Sequence, residues 1–396
     1  KRRVYMDHAA SMPIDPRVVE AMMPYLTGSY GNPSSLHAFG AEARKALEES
    51  REKVAALIGA ERSEEVIFTS GGTESNNLGI KGVAYRNRKR GNHIITTGIE
   101  HISVINTCKY LQKQGFRVTY LPVDEYGLVD PERVREEITD ETILVSVMYA
   151  NGEIGTIEPI REIGAIAHEN DVYLHVDAVA AAGQVPINVR EENIDLLSLS
   201  SNDLYGPRGV GALYVRRMTR VEPIIHGGGQ ERGLRSGTEN IASIVGMGEA
   251  AEIAREEMEA TSTRLKRLRD TLIEGILNTI PESYLNGHPT KRLPNNVNVR
   301  FSYIEGESLI LSLDMEGIAS SSGSACTSKT LEPSHVLLAI GLPRELAHGS
   351  LLLTLGRQNT DEDVKRVLEV LPKTVKRLRT ISPLTPKELL EAYESV

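Results

Sequence analysis

Short apolar runs alternate with longer helical stretches through the first two-thirds of the chain, and this rhythm limits the possible folds more than any other feature. Residues 66–69, 93–97, 118–123, 143–148, 173–176, 196–199 and 210–215 read as strands. Several are continuous in Val, Ile and Leu, the pattern of strands covered on both faces. Between 41 and 58, Ala43, Ala46, Leu47, Val54, Leu57 and Ile58 fall on one side of a helix, and Gly59 ends it. Such alternation predicts an α/β fold with a mainly parallel, doubly wound sheet. Beyond about residue 249 the texture changes. A charged helix to about 277 carries Leu265, Leu268, Leu272 and Ile276 at helical spacing, and strands at 296–301 and 351–355 follow. A last helix opens at the N-cap Thr360, with Asp361, Glu362 and Asp363 in its first turn. This part reads as a smaller α+β domain. The expected division is a large domain over 15–255 and a small one made of 1–14 and 256–396.

Bulk properties narrow the function classes. The 396 residues carry a net charge of -9 with no basic block, so nucleic acid is not an expected partner. No apolar run is long enough to span a bilayer. The basic start Lys1-Arg2-Arg3 meets Asp7 and His8 before any long apolar stretch and does not read as a signal peptide. The two cysteines, Cys108 and Cys326, are far apart and belong to no CxxC pair. A reducing cytoplasm is the expected compartment.

Several polar positions are candidates for chemistry. SGGTESNN, 70–77, follows a strand and opens a helix. Its glycines let backbone approach a ligand, and a helix start presents free N–H groups, so Gly72 and Thr73 suit a phosphate. A plain N-cap at Thr73 is the other reading. Asp177 ends the apolar run YLHVD, where open α/β sheets bind ligands. There it suits a protonated pyridine nitrogen, or simply a strand-end carboxylate in water. His101 follows the strand at 93–97 and is placed to stack on a flat ligand or move protons, or else is structural. Asn151 in MYANGEIG is a turn residue or a ligand contact. Cys326 sits among serines and glycine in SSSGSACTSKT, with no large apolar neighbour from 320 to 328. That setting predicts an exposed loop and points to a reactive thiol rather than a core one. Cys108, in the helical VINTCKYL, is expected to be buried. Arg357 follows an apolar run, and its fork suits a carboxylate or an ordinary ion pair. RSGTEN, 235–240, offers a hydroxyl and backbone donors after IHGGGQERG.

Together these pieces resemble the cysteine desulfurase family, in the class V aminotransferase branch of fold-type I pyridoxal-phosphate (PLP) enzymes. GNPSSLHAFG, FTSGGTESNN, GIEHISV, NGEIGTI, HVDAV, YGPRGVGALYV, IHGGGQERGLRSGTEN and SSGSACTS with LEPSHVL come in the family's order over nearly the whole chain. The resemblance implies roles. Gly72, Thr73 and Ser200 hold the PLP phosphate, and Thr238 reaches it from a second subunit, so a homodimer is implied. His101 stacks on the ring and shuttles protons, Asp177 pairs with the pyridinium nitrogen, and Asn151 contacts ring or substrate. Arg357 binds the carboxylate of L-cysteine. Cys326 attacks the substrate's sulfur and carries it as a persulfide to an iron–sulfur scaffold protein.

Departures from the family's pattern fall at two places. After LLSLS the family reads Gly-His-Lys, and the lysine forms the Schiff base; here Ser201, Asn202 and Asp203 follow. The family has glutamine three residues after the pyridinium aspartate, where this chain has Ala180. No lysine occurs between Lys113 and Lys266. Asp203 cannot form an imine, so PLP is expected to bind non-covalently if at all, and catalysis to be weakened, with His101 retaining some proton transfer. Two further expectations stand beside the weakened desulfurase. One is a dimeric platform that docks the scaffold and supplies Cys326 as sulfur carrier or as ligand to a shared [2Fe-2S] cluster. The other is a class V relative such as a selenocysteine lyase.

Overall fold

Both faces of the main sheet are covered over most of its strands, which is why several of them read as continuous apolar runs, while the edge strand Arg117–Leu121 is only partly buried. The computed structural model describes residues 2–323 and 332–394. Its strands are β1 (Val4–Tyr5), β2 (Val66–Thr69), β3 (His93–Thr97), β4 (Arg117–Leu121), β5 (Thr142–Ser146), β6 (Tyr173–Asp177), β7 (Leu196–Ser200), β8 (Gly211–Val215), β9 (Ser283–Leu285), β10 (Asn296–Phe301), β11 (Ile318–Ala319) and β12 (Ser350–Thr354). The main sheet has the order β2-β8-β7-β6-β5-β3-β4. Only β8 runs against its neighbours; β2 and β7 both pair with it antiparallel, and every other pairing is parallel.

Alternate residues of each strand enter opposite cores. Phe68, Ile95, Val145, Leu197 and Tyr214 join the cluster under helices Ala38–Ile58 and Ile160–Glu169. Ile67, Ile94, Leu144, Leu196 and Leu213 join the cluster under helices Gly72–Arg86 and Ile102–Lys113, where Cys108 is also fully buried. Burial pushes the Cys108 thiol up to about 12, so it is an inert core side chain. A separate cluster gathers Leu265, Leu268, Leu272 and Ile276 with Val4, Met6 and the antiparallel sheet β12-β10-β9.

Element boundaries differ from the sequence expectation for identifiable reasons. The strand expected to reach 148 ends at Ser146, because the Met148 amide leaves the ladder and donates to Glu100 Oε1 at 3.0 Å. The long helix starts at Ile241 rather than near 249 and runs to Thr279. Gly246 and Gly248 weaken its pattern, but a Cβ at Gly248 would sit 2.8 Å from the Ser50 Cα, so the close approach of helix Ala38–Ile58 needs glycine there. Helix Asp361–Ile381 begins after the expected N-cap Thr360, whose amide donates to the Asp363 carboxylate at 3.1 Å.

One core carboxyl makes stability depend on pH. Glu158 Oε2 accepts from the Val129 amide at 2.9 Å, while Oε1 is buried without a partner among the described residues. Burial pushes the group up to about 8. The folded state therefore holds a proton that the unfolded chain releases near the ordinary glutamate value. The stability this contributes is complete below that value and is lost as pH rises through the folded one. Glu158→Gln should flatten the decline in unfolding free energy between pH 6 and 8 by roughly 2–3 kcal/mol, as each pH unit is worth about 1.4 kcal/mol. Urea titrations of both proteins at the two pH values check this, and parallel declines would count against it.

Candidate active site

A cavity of about 580 Å³ opens at the carboxyl ends of the main sheet. Its wall takes Gly72 and Thr73 from the start of helix Gly72–Arg86, His101 from the turn after β3, and Asn151 from the turn after β5. Asp177 and Ser200, at the ends of β6 and β7, and Asp203, just after β7, line it as well. The opposite side comes from Asn295, Ser321, Leu352 and Thr354.

The helix start suits an anion. Its N-cap is Gly71, which has no side chain to occupy the first-turn amides. A Cβ on Gly72 would lie 2.8 Å from Val179 Cγ2, so a larger residue here would have to displace the Val179 side chain. Asp177 is held rigidly: Oδ1 accepts from the Val179 amide at 3.0 Å, and Oδ2 from Asn76 Nδ2 at 2.9 Å. Asn76 Nδ2 also donates to Ser103 Oγ at 3.0 Å, and Ser103 Oγ lies 2.7 Å from His101 Nδ1. The Ser103 amide donates to the same Nδ1 at 3.1 Å. A backbone N–H can only donate, so Nδ1 is the accepting nitrogen and the neutral ring carries its proton on Nε2. One hydrogen-bonded chain thus ties His101 to Asp177.

Asp203 lies in a single 3-10 turn, Asn202–Leu204, fastened by the Gly206 amide donating to the Ser201 carbonyl at 2.9 Å. Burial, with the nearby charge of Asp177, pushes its carboxyl up to about 7 against hydrogen bonds from Ser200 and Asn202 and the field of His101. Three further acids that the sequence did not single out share the wall: Asp7, Glu100 and Glu153. Burial raises Glu100 well above the usual carboxylate range and Glu153 to about 7. His335 is also there, its Nε2 2.8 Å from the Glu100 carbonyl. Asn76 had a legible signal, one helical turn beyond Gly72; Glu100, Glu153 and His335 had none.

The remaining candidates divide. Asn151 faces the cavity with its amide already committed: Nδ2 donates to the Ile99 carbonyl at 2.9 Å, and Oδ1 accepts from Glu153 and Ile154 amides at 2.9 and 3.0 Å. It is a turn residue at the cavity wall. Arg357 is not part of the wall. It occupies a small adjoining crevice that shares Met12, Gln184, Asp203 and Asn295 with the cavity. It pairs with Asp15 at 3.1 Å and stacks 4.3 Å from the Tyr205 ring centroid. Thr238 is exposed and outside the cavity, though Arg235 of the same loop pairs with Glu74 at 2.7 Å beside the helix start. Cys326 lies outside the described residues, and Gly323 and Ser334, before and after its segment, both line the cavity. Among the described residues no group of three or more His, Cys, Asp or Glu side chains is arranged to hold a metal, and no helix is long and apolar enough to cross a membrane.

Residues 4–367 match the family described as Aminotransferase class-V. The chain is 58% identical over 387 residues to cysteine desulfurase IscS of Methanosarcina thermophila, covering 98% of this chain and 95% of that protein. It is 60% identical over 380 residues to cysteine desulfurase IscS 1 of Archaeoglobus fulgidus, covering 96% and 99%. A solved NifS-like protein superposes with a TM-score of 0.89 at 39% identity, covering 96% of this chain and all of that one. A structure of SspA in complex with cysteine gives 0.79 at 38%, covering 89% and 98%. The chain belongs to the class V aminotransferase family, in its cysteine desulfurase branch, a group of PLP-dependent proteins.

Proposed function

We propose that this chain handles the sulfur of L-cysteine for iron–sulfur cluster assembly, with Cys326 as the sulfur carrier. In the overall reaction L-cysteine and an acceptor thiol become L-alanine and a persulfide on the acceptor. The observation that carries this reading is one cavity holding an uncapped helix start, a fixed Asp177 and a linked His101, in a chain 58–60% identical to cysteine desulfurases. The donor set fits PLP at both ends: first-turn amides for its phosphate and a buried carboxylate for its ring nitrogen. When bound, PLP supplies an electron sink for substrate carbon. Gly72, Thr73 and Ser200 would hold its phosphate, with Thr238 of a second subunit completing the site in a homodimer. Asp177 would keep the ring nitrogen protonated, His101 would lie against the ring and exchange protons through Nε2, and Asn151 would back the ring or substrate. Arg357, in the adjoining crevice, would take the substrate carboxylate by leaving Asp15. The cluster built on Leu265, Leu268 and Leu272, separate from the two that cover the main sheet, supports the division into 15–255 and 1–14 with 256–396, and a small cluster of Ile99, Met148 and Ile154 with Val336 and Leu337 joins the two parts. A cytoplasmic site of action belongs to the same reading.

We assign Asp203 to the position of the family's cofactor-anchoring lysine. With no lysine in 114–265, turnover is expected about 10²–10⁴-fold below lysine-bearing relatives. Purified protein given PLP and L-cysteine should still release alanine and sulfide faster than free PLP does, and Cys326→Ser should abolish sulfide transfer to a scaffold protein. A rate equal to that of free PLP rejects catalysis. Asp203 specifically favours the second reading, a dimeric platform whose Cys326 carries sulfur or ligates a shared [2Fe-2S] cluster. A cluster-bearing complex that survives Cys326→Ser rejects the ligand form of it.

A further inference from the structure

The polar character of the cavity is one-sided. Five lining residues each bury an oxygen with no hydrogen-bond partner: Asp7 Oδ1, Asn76 Oδ1, Glu100 Oε2, Glu153 Oε1 and Gln184 Oε1. All five are acceptors or carboxyl oxygens. Among the described residues, no lysine or arginine lines the cavity. These oxygens sit just behind the cavity surface with no cation among them, so the wall as a whole favours positive charge in the cavity. Asp203 adds a carboxylate fixed by its 3-10 turn, with Ser200 hydrogen-bonded to it and Asp177 and His101 within electrostatic reach.

We propose that this cavity selects the amine form of the cofactor, pyridoxamine 5′-phosphate, over the aldehyde form, with Asp203 pairing to the ligand's ammonium. The inference rests on the reading of the cavity as a vitamin B6-phosphate site. With phosphate at the helix start and ring nitrogen at Asp177, two polar ring substituents remain: the 3-hydroxyl, common to every B6 phosphate, and the variable group at the 4-position, which meets Asp203 if Asp203 holds the anchoring position. An aldehyde offers Asp203 neither a charge nor a donor and forms no bond to a carboxylate. An aminomethyl group is a cation at neutral pH and carries three donors to the Asp203 carboxylate. A charge-assisted contact of this kind is worth about 10–100-fold in affinity. Selection requires no covalent step, because the ligand enters and leaves intact.

Calorimetric titration of the whole purified protein at pH 8 with three ligands tests it: pyridoxamine 5′-phosphate, pyridoxal 5′-phosphate, and pyridoxine 5′-phosphate, whose hydroxymethyl group is neutral. The amine form should bind at least about 10-fold tighter than either of the others. Asp203→Asn should bring its affinity level with pyridoxine 5′-phosphate, circular dichroism reporting that the fold is kept. Equal or weaker binding of the amine form by the unaltered protein overturns the proposal, whatever the fate of the variant. Persistence of the preference in Asp203→Asn also overturns it. If none of the three ligands binds, the B6-phosphate reading itself fails and takes the proposal with it. Binding of all three without preference leaves that reading standing and removes only the selection.

Discussion

Asp203→Lys protein mixed with PLP is expected to absorb in the visible and, after borohydride, to keep the cofactor through denaturation, while the unaltered chain releases all of it. The reason is placement. Asp203 sits on the turn that follows β7, and that turn is short, with the Leu204 and Gly206 amides both donating to the Ser201 carbonyl at 3.0 and 2.9 Å. Tyr205 closes it in the left-handed region at φ 62°, where its hydroxyl accepts from the Arg357 amide at 2.8 Å. A side chain leaving this turn is aimed by backbone geometry rather than by its own chemistry. The cavity of about 580 Å³ has room for the longer lysine. Removing a carboxylate beside Asp177 also relieves like-charge crowding, and the new ammonium finds acidic neighbours. Alanine release from cysteine should rise about 10²–10⁴-fold, the usual worth of a placed acid–base group. Mass spectrometry of the reduced protein should find the cofactor at the substituted position. Label absent there, or spread over surface lysines, would mean that Asp203 does not stand at the anchoring position.

Arg51→Met is expected to lower the unfolding free energy by about 3–5 kcal/mol, the usual cost of leaving one member of a buried ion pair behind. Arg51 forks onto Glu231 with Nη1 to Oε2 at 2.7 Å and Nη2 to Oε1 at 2.8 Å. The same guanidinium donates to the Val66 carbonyl at 2.8 Å and lies over the Phe68 ring, while the Phe68 amide donates to Glu231 at 2.7 Å. This knot joins helix Ala38–Ile58, β2 and the glycine-rich loop. Glu231 and Arg232 are both held in the left-handed region, at φ 49° and 58°, which non-glycine residues tolerate only when neighbours enforce it. The loop leads on to Thr238, so losing the clamp should also weaken binding of B6 phosphates. Adding Glu231→Gln to Arg51→Met should recover part of the loss, since the stranded charge is then gone. Urea unfolding of the single and double variants measures this; a single-variant cost below about 1 kcal/mol would place the pair among ordinary surface bridges.

The sequence was most readable where one physical demand acts alone. Continuous Val, Ile and Leu mean cover on both faces, and the seven main strands lie where that pattern puts them. Their ends were less readable because a distant partner sets them, as Glu100 does by taking the Met148 amide. The start of the long helix was hidden for a similar reason: Gly248 makes sense only with Ser50 against it. At the site, Gly72, His101 and Asp177 were legible because strand ends and helix starts collect ligands. The chain from Asp177 through Asn76 and Ser103 to His101 was not, since it joins three segments that only the folded sheet brings together. Arg357 was legible as a cation after a strand, but its pairing with Asp15 and stacking on Tyr205 were not.

Helix Ile241–Thr279 has 39 residues, a rod about 58 Å long at 1.5 Å per residue. Ala250, Ala251 and Ala254 seat its first half in one hydrophobic cluster, and Leu265, Leu268 and Leu272 seat its second half in the other. From 255 to 264 no residue is fully buried. That stretch is nevertheless a gear shaft: one residue added or removed turns everything beyond it by about 100° and swings the leucines out of their core. Seven residues added would bring the leucines back to within about 20°. Over these ten positions the chain has to keep a count, a rotational phase and a few polar ties, among them Arg264 to the Asn359 and Arg357 carbonyls and Glu257 to Arg17.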